Sequence, residues 1–436
     1  MSADEATGIL GQKTDLSTKC LGAAAIGLGG GLIGLFMGLA NGDKNPFLGW
    51  LWGTAFWLSI AIGMLMLIML FRVFNSQWTP VVRRQMEHCL AAFPWLGVCL
   101  LPLLLVVWFG GDQAGILWNW VNPASDVPVA GEVHKVGHDV LLQKKSGYLN
   151  VFSFSVRTIG YFAIFCSLAY WMRKVSFTQD RDGDSKWTQL GHNIAAAGLP
   201  ACAIALTFGA FDWFMSLEYH WFSTMFGVWF FAASIRAGLA VAIIVCFVLA
   251  TRTDLRGFYN FKAHQYDLAC LSLAFTVFWA YISFSQYFLI YYANIPEETF
   301  WYVIREINPN TGERTGWFWV SMGLIFGHFL VPFLALLWYK NKVEPHKTLK
   351  IVGWILCFHL LDLYWNIIPG RIPNPESPVG YDIRFVLGTQ LIWGLFALVG
   401  VGGLCMWAVL KSYRESDAEI IPVRDPRIKA SINYHE

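Results

Sequence analysis

The chain has 436 residues, of which 56% are hydrophobic, 17% aromatic and only 14% charged. Soluble domains carry nearer a quarter charged residues. The long uncharged apolar runs therefore exclude a soluble fold and predict an all-α polytopic membrane protein. The net charge of +2 gives no sign of a nucleic-acid partner, so only its distribution along the chain is informative.

Residues 1–19 are polar and lack a cleavage signature, so they read as a cytoplasmic tail before an uncleaved first helix. Ten segments then approach the roughly 20 residues that a span needs: 20–40, 49–71, 90–109, 151–172, 193–215, 222–249, 268–291, 316–338, 350–368 and 386–410. Together they predict one transmembrane domain over 20–410, followed by a cytoplasmic tail, 411–436. Alternate loops carry 21 Lys and Arg on one side and eight on the other, which places both termini in the cytoplasm. The outer loops 110–150 and 292–315 are long enough to dock a peripheral partner. The C-terminal tail, with mixed charge and two prolines, reads as a non-helical extension lying on a neighbour.

Small-residue spacing marks the first span (Gly27, Gly30, Gly34, Gly38) and the last (Gly394, Gly400, Gly402, Gly403). Such spacing lets helices approach closely, either inside the protein or against another subunit. The fourth and sixth spans share a Ser-x-Arg pattern, FSFSVRTIGYF and FAASIRAGLAV, which reads as a trace of duplication. Arg157 and Arg236 each precede an edge arginine by 16 residues, roughly 24 Å of helix. Both therefore lie in the outer part of the bilayer.

Ionisable groups inside spans are functional suspects by default. Arg157, Asp212 and Arg236 fall at one depth and predict an outer cluster that either gates a proton path or fixes helix packing. Glu218 and His220, in the turn between the fifth and sixth spans, read as interface residues or proton-exchange groups. Deeper, His328, His359 and Asp362 lie near mid-depth, and His359, Asp362 and Asn366 share one helix face. A His–Asp pair there suits a proton relay. Ser272, Thr276, Ser283, Gln286 and Tyr287 give the seventh span a polar face, suited to helix packing or a water wire. His192, His264 and Asp267 read as a solvated rim that could also collect protons.

The nine cysteines lie in or beside apolar segments without a CxxC pair, so they read as small buried hydrophobes. His328 and His359 are the only plausible haem pair, and no metal or nucleotide motif is present. Any redox centre is expected on partner subunits.

Three stretches carry a resemblance: DWFMSLEYHWFSTMFGVWFF, WTPVVRRQMEHCLAAFPWL and KSGYLNVFSFSVRTIGYF. They resemble the ActF-type subunits of bacterial alternative complex III, a respiratory quinol-oxidising complex whose membrane core pairs two NrfD-like subunits. The resemblance implies two four-helix bundles, spans 2–5 and 6–9, flanked by spans 1 and 10. It implies an inner-membrane location with lipids around the chain. The expected partners are an ActC-type membrane subunit, an iron–sulfur subunit, multihaem cytochrome c subunits and a terminal oxidase. It also implies haem and iron–sulfur clusters on those partners, none bound directly by this chain, and leaves room for a quinone or menaquinone. Three roles stay open: a proton path coupled to quinol oxidation, quinol oxidation in this subunit, or a scaffold without chemistry of its own.

Overall fold

The structure is a computed structural model that describes residues 13–129, 131–252, 254–416 and 418–434. Most of the predicted tail 1–19 lies outside the described residues. Ten helices among those described are long and apolar enough to cross a membrane: α1 (Leu16–Asn41), α2 (Asn45–Val73), α3 (Pro80–Phe109), α4 (Val151–Asp182), α5 (Lys186–Glu218), α6 (Met225–Arg252), α7 (His264–Ala293), α8 (Gly316–Leu337), α9 (Pro345–Ile367) and α10 (Thr389–Glu415). The protein is all-α and polytopic, as its composition requires. An even number of spans puts the start of α1 and the end of α10 at one end of the molecule, the termini side. The other end is the far side.

Helices α2 to α5 pack as one bundle and α6 to α9 as a second. Their first helices, α2 and α6, lie back to back at the centre. The most apolar stretch of α2 is 89% buried and that of α6 is 72% buried, against 28–44% for the other eight, so these two form the core. The contact is intimate because two glycines meet there. A Cβ on Gly63 would lie 1.9 Å from the Ser234 carbonyl oxygen, and one on Gly238 would lie 2.8 Å from the Met64 nitrogen.

The glycine-spaced helices α1 and α10 pair with each other against α2. A Cβ on Gly27 would sit 2.3 Å from the Gly400 nitrogen, and Gly30 and Gly34 receive the rings of Phe396 and Trp393. Of the two readings of this spacing, internal packing is the one the structure shows. The two Ser-x-Arg stretches do not fall on equivalent helices of the two bundles. They fall on the third helix of one bundle (α4) and the first of the other (α6), whereas the packing makes α2 the counterpart of α6.

Several helices run further than hydropathy alone suggests. The stretch 80–89, predicted as loop, is the start of α3. Its charges are matched inside the protein: Glu87 accepts from Arg72 (3.0 Å) and Arg83 (3.1 Å), and Arg84 bonds Asp180. Likewise α4 and α5 extend past their apolar parts and join through Gly183, whose φ of 72° is the left-handed cap that glycine favours.

The C-terminal tail lies on its own chain rather than standing free for a neighbour, and contains a short helix, Ile428–Ile432. It crosses from one bundle to the other on the termini side. Asp425 pairs with Arg83 of α3 (2.5 Å), Ser431 donates to the Trp78 carbonyl (2.7 Å), and the Tyr434 hydroxyl reaches Asp267 of α7 (2.9 Å). On the far side, two antiparallel hairpins cap the bundles. One pairs β1 (Asp126–Val129) with β2 (Glu132–Lys135), and the other pairs β3 (Arg371–Pro373) with β4 (Tyr381–Ile383).

Candidate functional site

The second bundle holds a buried polar constellation built around a break in α8. Residues Leu324–Leu330 form a π-helical turn, a device that recurs at functional sites. The sequence reason is Pro332. Proline has no N–H, so it cannot donate to the carbonyl four residues back, His328, nor to the one five back, Gly327. Buried carbonyls need partners, and side chains from neighbouring helices supply them. Arg236 Nη2 of α6 donates to the His328 carbonyl at 2.6 Å, and Trp354 Nε1 of α9 donates to the Gly327 carbonyl at 2.7 Å. Gly327 leaves room for the Phe358 ring, since a Cβ there would lie 2.2 Å from it and force the ring to move.

Arg236 makes a second contact, Nη1 to His328 Nε2, at 2.9 Å. A guanidinium only donates, so Nε2 is the acceptor and this arrangement places the histidine's proton on Nδ1. The same His328 Nε2 lies 3.9 Å from Asp362 Oδ2 of α9. That carboxylate is oriented by neutral donors: Trp279 Nε1 at 3.0 Å, Trp229 Nε1 at 3.2 Å and Asn366 Nδ2 at 3.1 Å. Among the described residues, neither lysine nor arginine reaches it within ion-pair distance. His359, one turn before Asp362, meets Ser59 of α2 at 2.8 Å. Ser59 already donates to the Phe56 carbonyl, so His359 Nε2 is the donor in that contact. Arg236, His328, His359 and Asp362 are each at most 2% exposed.

The predicted outer cluster thus divides. Arg157 and Asp212 belong to the first bundle, where Arg157 grips both carboxylate oxygens (Nε at 2.8 Å, Nη2 at 2.9 Å) and the Tyr161 hydroxyl adds a third bond at 2.8 Å. Arg157 also stacks on Tyr148, 3.7 Å from the ring centre. Arg236 faces the opposite bundle, because equal depth says nothing about which way a helix face points. Every oxygen of the Asp212 carboxylate is engaged, which makes this a packing clamp.

Glu218 and His220 are pinned as well. Glu218 Oε2 accepts from Arg371 at 2.9 and 3.2 Å, and its Oε1 accepts from the Arg371 backbone N–H at 3.0 Å, tying the α5–α6 turn to β3. His220 Nε2 bonds Asp139, which also accepts from the Tyr219 hydroxyl at 2.6 Å. Burial alone would raise the Asp139 carboxyl, but the Tyr219 and His220 bonds outweigh it and hold the group below the usual carboxylate range.

A cavity of about 620 Å³ extends from Asp362 toward the far side, between α7, α8 and α9. Its walls are aromatic, with Trp279, Tyr287, Tyr302 and Trp365 among them. Phe284 of α7 and Ile325 of α8 line its flank and are 64% and 50% exposed on the outer surface of the bundle. Ser283, Gln286 and Tyr287 of the predicted polar face line it, whereas Thr276 bonds back to the Ser272 carbonyl within α7. Two lining residues, Arg305 and Glu306, were not singled out from the sequence because they sit in a loop. Arg305 is sandwiched between Trp301 and Trp365, and its guanidinium is spent on three backbone carbonyls.

Trp229, Trp279 and Ser59 also escaped the sequence reading, being apolar or ubiquitous types. One signal could have helped. Asp212 and Asp362 lie on matching helices, and four residues after each a polar side chain bonds its carbonyl: Ser216 at 2.5 Å and Asn366 at 2.8 Å. Among the described residues, no group of three or more His, Cys, Asp or Glu is placed to hold a metal ion. No protein-family model and no curated protein matches the chain.

Proposed function

We propose that this chain is an integral subunit of a respiratory quinol-oxidising complex of the alternative complex III type, and that it moves protons. The single observation that carries the proton reading is the Arg236–His328–Asp362 constellation. Its members are desolvated and oriented by neighbouring helices, with His328 between Arg236 (2.9 Å) and Asp362 (3.9 Å), which suits a relay better than a packing clamp. In the resting arrangement Arg236 occupies His328 Nε2. A proton can enter at Nε2 only when Nη1 withdraws, and Nη2 keeps Arg236 anchored to the His328 carbonyl meanwhile. His328 then passes the proton from Nε2 to Asp362 Oδ2, across a gap that a small ring rotation closes. His359 and Ser59 link the site to α2 at the centre of the molecule. The membership of the complex rests on the three resembling stretches. It brings with it an inner-membrane location with both termini cytoplasmic, an ActC-type neighbour, iron–sulfur and multihaem subunits carrying the redox centres, and electron delivery to a terminal oxidase.

The test is Asp362→Asn in the assembled complex in proteoliposomes. Proton release should fall by roughly 100-fold, the lower end of what a positioned acid–base group contributes, while electron flow into an uncoupled acceptor persists. Unchanged proton movement at unchanged electron flow would overturn the relay. Mild-detergent purification tests the complex. Co-purifying iron–sulfur and multihaem subunits are expected, and an isolated homo-oligomer would count against them.

A second reading, quinone binding in this subunit, is favoured by the aromatic cavity and its exposed flank between α7 and α8. A photoreactive quinone analogue should then label peptides of those two helices. Labelling confined to other subunits would remove that reading.

A further inference from the structure

The carboxylates near the functional helices divide into two classes. Arginine holds Asp212, Glu218, Glu87, Asp180 and Asp425, and histidine holds Asp139. An arginine at bonding distance keeps a carboxyl ionised and unable to carry a proton. Among the described residues, Asp362 has no arginine or lysine at ion-pair distance, and neither does Glu306. Both line the same cavity, Asp362 at its inner end and Glu306 in the loop at its far-side end. Arg305, the neighbour that could have neutralised Glu306, turns its guanidinium to the carbonyls of Trp301, Trp365 and Asn366. Glu306 is held instead by a neutral donor, the Tyr291 hydroxyl at 2.9 Å. Between the two carboxyls the wall carries polar atoms: Asn366 beside Asp362, then Ser283, whose hydroxyl has no partner among the described residues, and Gln286 bonded to the Tyr302 hydroxyl at 3.0 Å.

From this juxtaposition we infer that Glu306 is the second proton-carrying carboxyl of the site, exchanging protons between Asp362 and the far side through the cavity. The inference rests on the relay reading above and extends it to a residue outside the spans. Burial raises the Glu306 carboxyl, with the Tyr291 hydrogen bond pulling the other way, and the balance is a group above the usual carboxylate range. Such a group can gain and lose a proton nearer neutral pH than a solvated glutamate does. The step is a plain proton transfer: the Asp362 carboxyl gives up a proton along the cavity wall, and Glu306 takes one up and releases it outward.

Infrared difference spectra of the full-length protein in lipid, recorded between acid and alkaline pH, read protonated carboxyls directly. Glu306→Gln keeps an acceptor for the Tyr291 hydroxyl, so folding, followed by thermal unfolding, should be unchanged. The variant should lose one titrating carboxyl band, and hydrogen–deuterium exchange of the remaining Asp362 band should slow by about 100-fold. Glu306→Asp should restore both. An Asp362 band that exchanges at the native rate in Glu306→Gln overturns the inference and leaves the relay standing. If Asp362→Asn removes no titrating band, the relay falls and this inference with it.

Discussion

At the scale of single residues, what separates the proposed proton carriers from the structural carboxylates is their partners. Asp212 and Asp362 are both carboxylates buried near the far end of a bundle's fourth helix, yet one is gripped by Arg157 and the other only by indoles and an amide. Asp139 offers a test by pH. Its folded carboxyl lies below the usual range, so the stability it contributes is present above the ordinary carboxyl pKa and is lost as pH falls through the folded value. Hydrogen–deuterium exchange around 132–145 should therefore rise in mild acid, below pH about 4, and Asp139→Asn should abolish that dependence. An exchange profile flat in pH for the native protein would contradict the clip. Residue identity and depth were readable from the sequence, and Arg157 does pair with Asp212 as their shared depth suggested. Arg236 was the exception, since a sequence gives its depth but not its azimuth. Glu306 stayed invisible because nothing local distinguishes a loop glutamate turned into a cavity.

Elements carry the next layer of specification. The π-helical turn of α8 is encoded by one proline placed four residues after the histidine it liberates. Pro332→Ala restores an N–H that can compete with Arg236 for the His328 carbonyl. A proline in a helix interior costs about 3 kcal/mol, so the variant should unfold at a higher temperature while proton transfer declines. A variant both more stable and fully active would show that the break is incidental. Ten spans and their order were legible from hydropathy, because lipid demands about 20 apolar residues whatever the fold. The starts of α3 and α5 were not. Hydropathy counts Arg83, Arg84 and Glu87 as charges facing water, and only the folded chain reveals that they cancel one another.

For the whole molecule, the two bundles share α2 and α6 at the centre and the C-terminal tail across the termini side. Removing residues 418–436 deletes Asp425 and leaves the buried Arg83 with Glu87 as its remaining carboxylate partner. Breaking a buried pair such as Arg83–Asp425 costs about 3 kcal/mol or more. The truncated protein should melt earlier in detergent and become protease-sensitive near 80–89, which limited digestion would detect. An unchanged melting temperature would mean the strap is decorative. The pairing of bundles was foreseen through resemblance rather than through the residues, since nothing in a linear pattern says which helix lies innermost. The glycine crossing has a mechanical meaning as well. Where Gly63 and Gly238 let two backbones touch, there is no lubricating layer of side chains over which one half could rock against the other. The two halves are thus braced against each other at this crossing, which suits the proposed relay, in which single side chains move, better than a rocking of one half against the other.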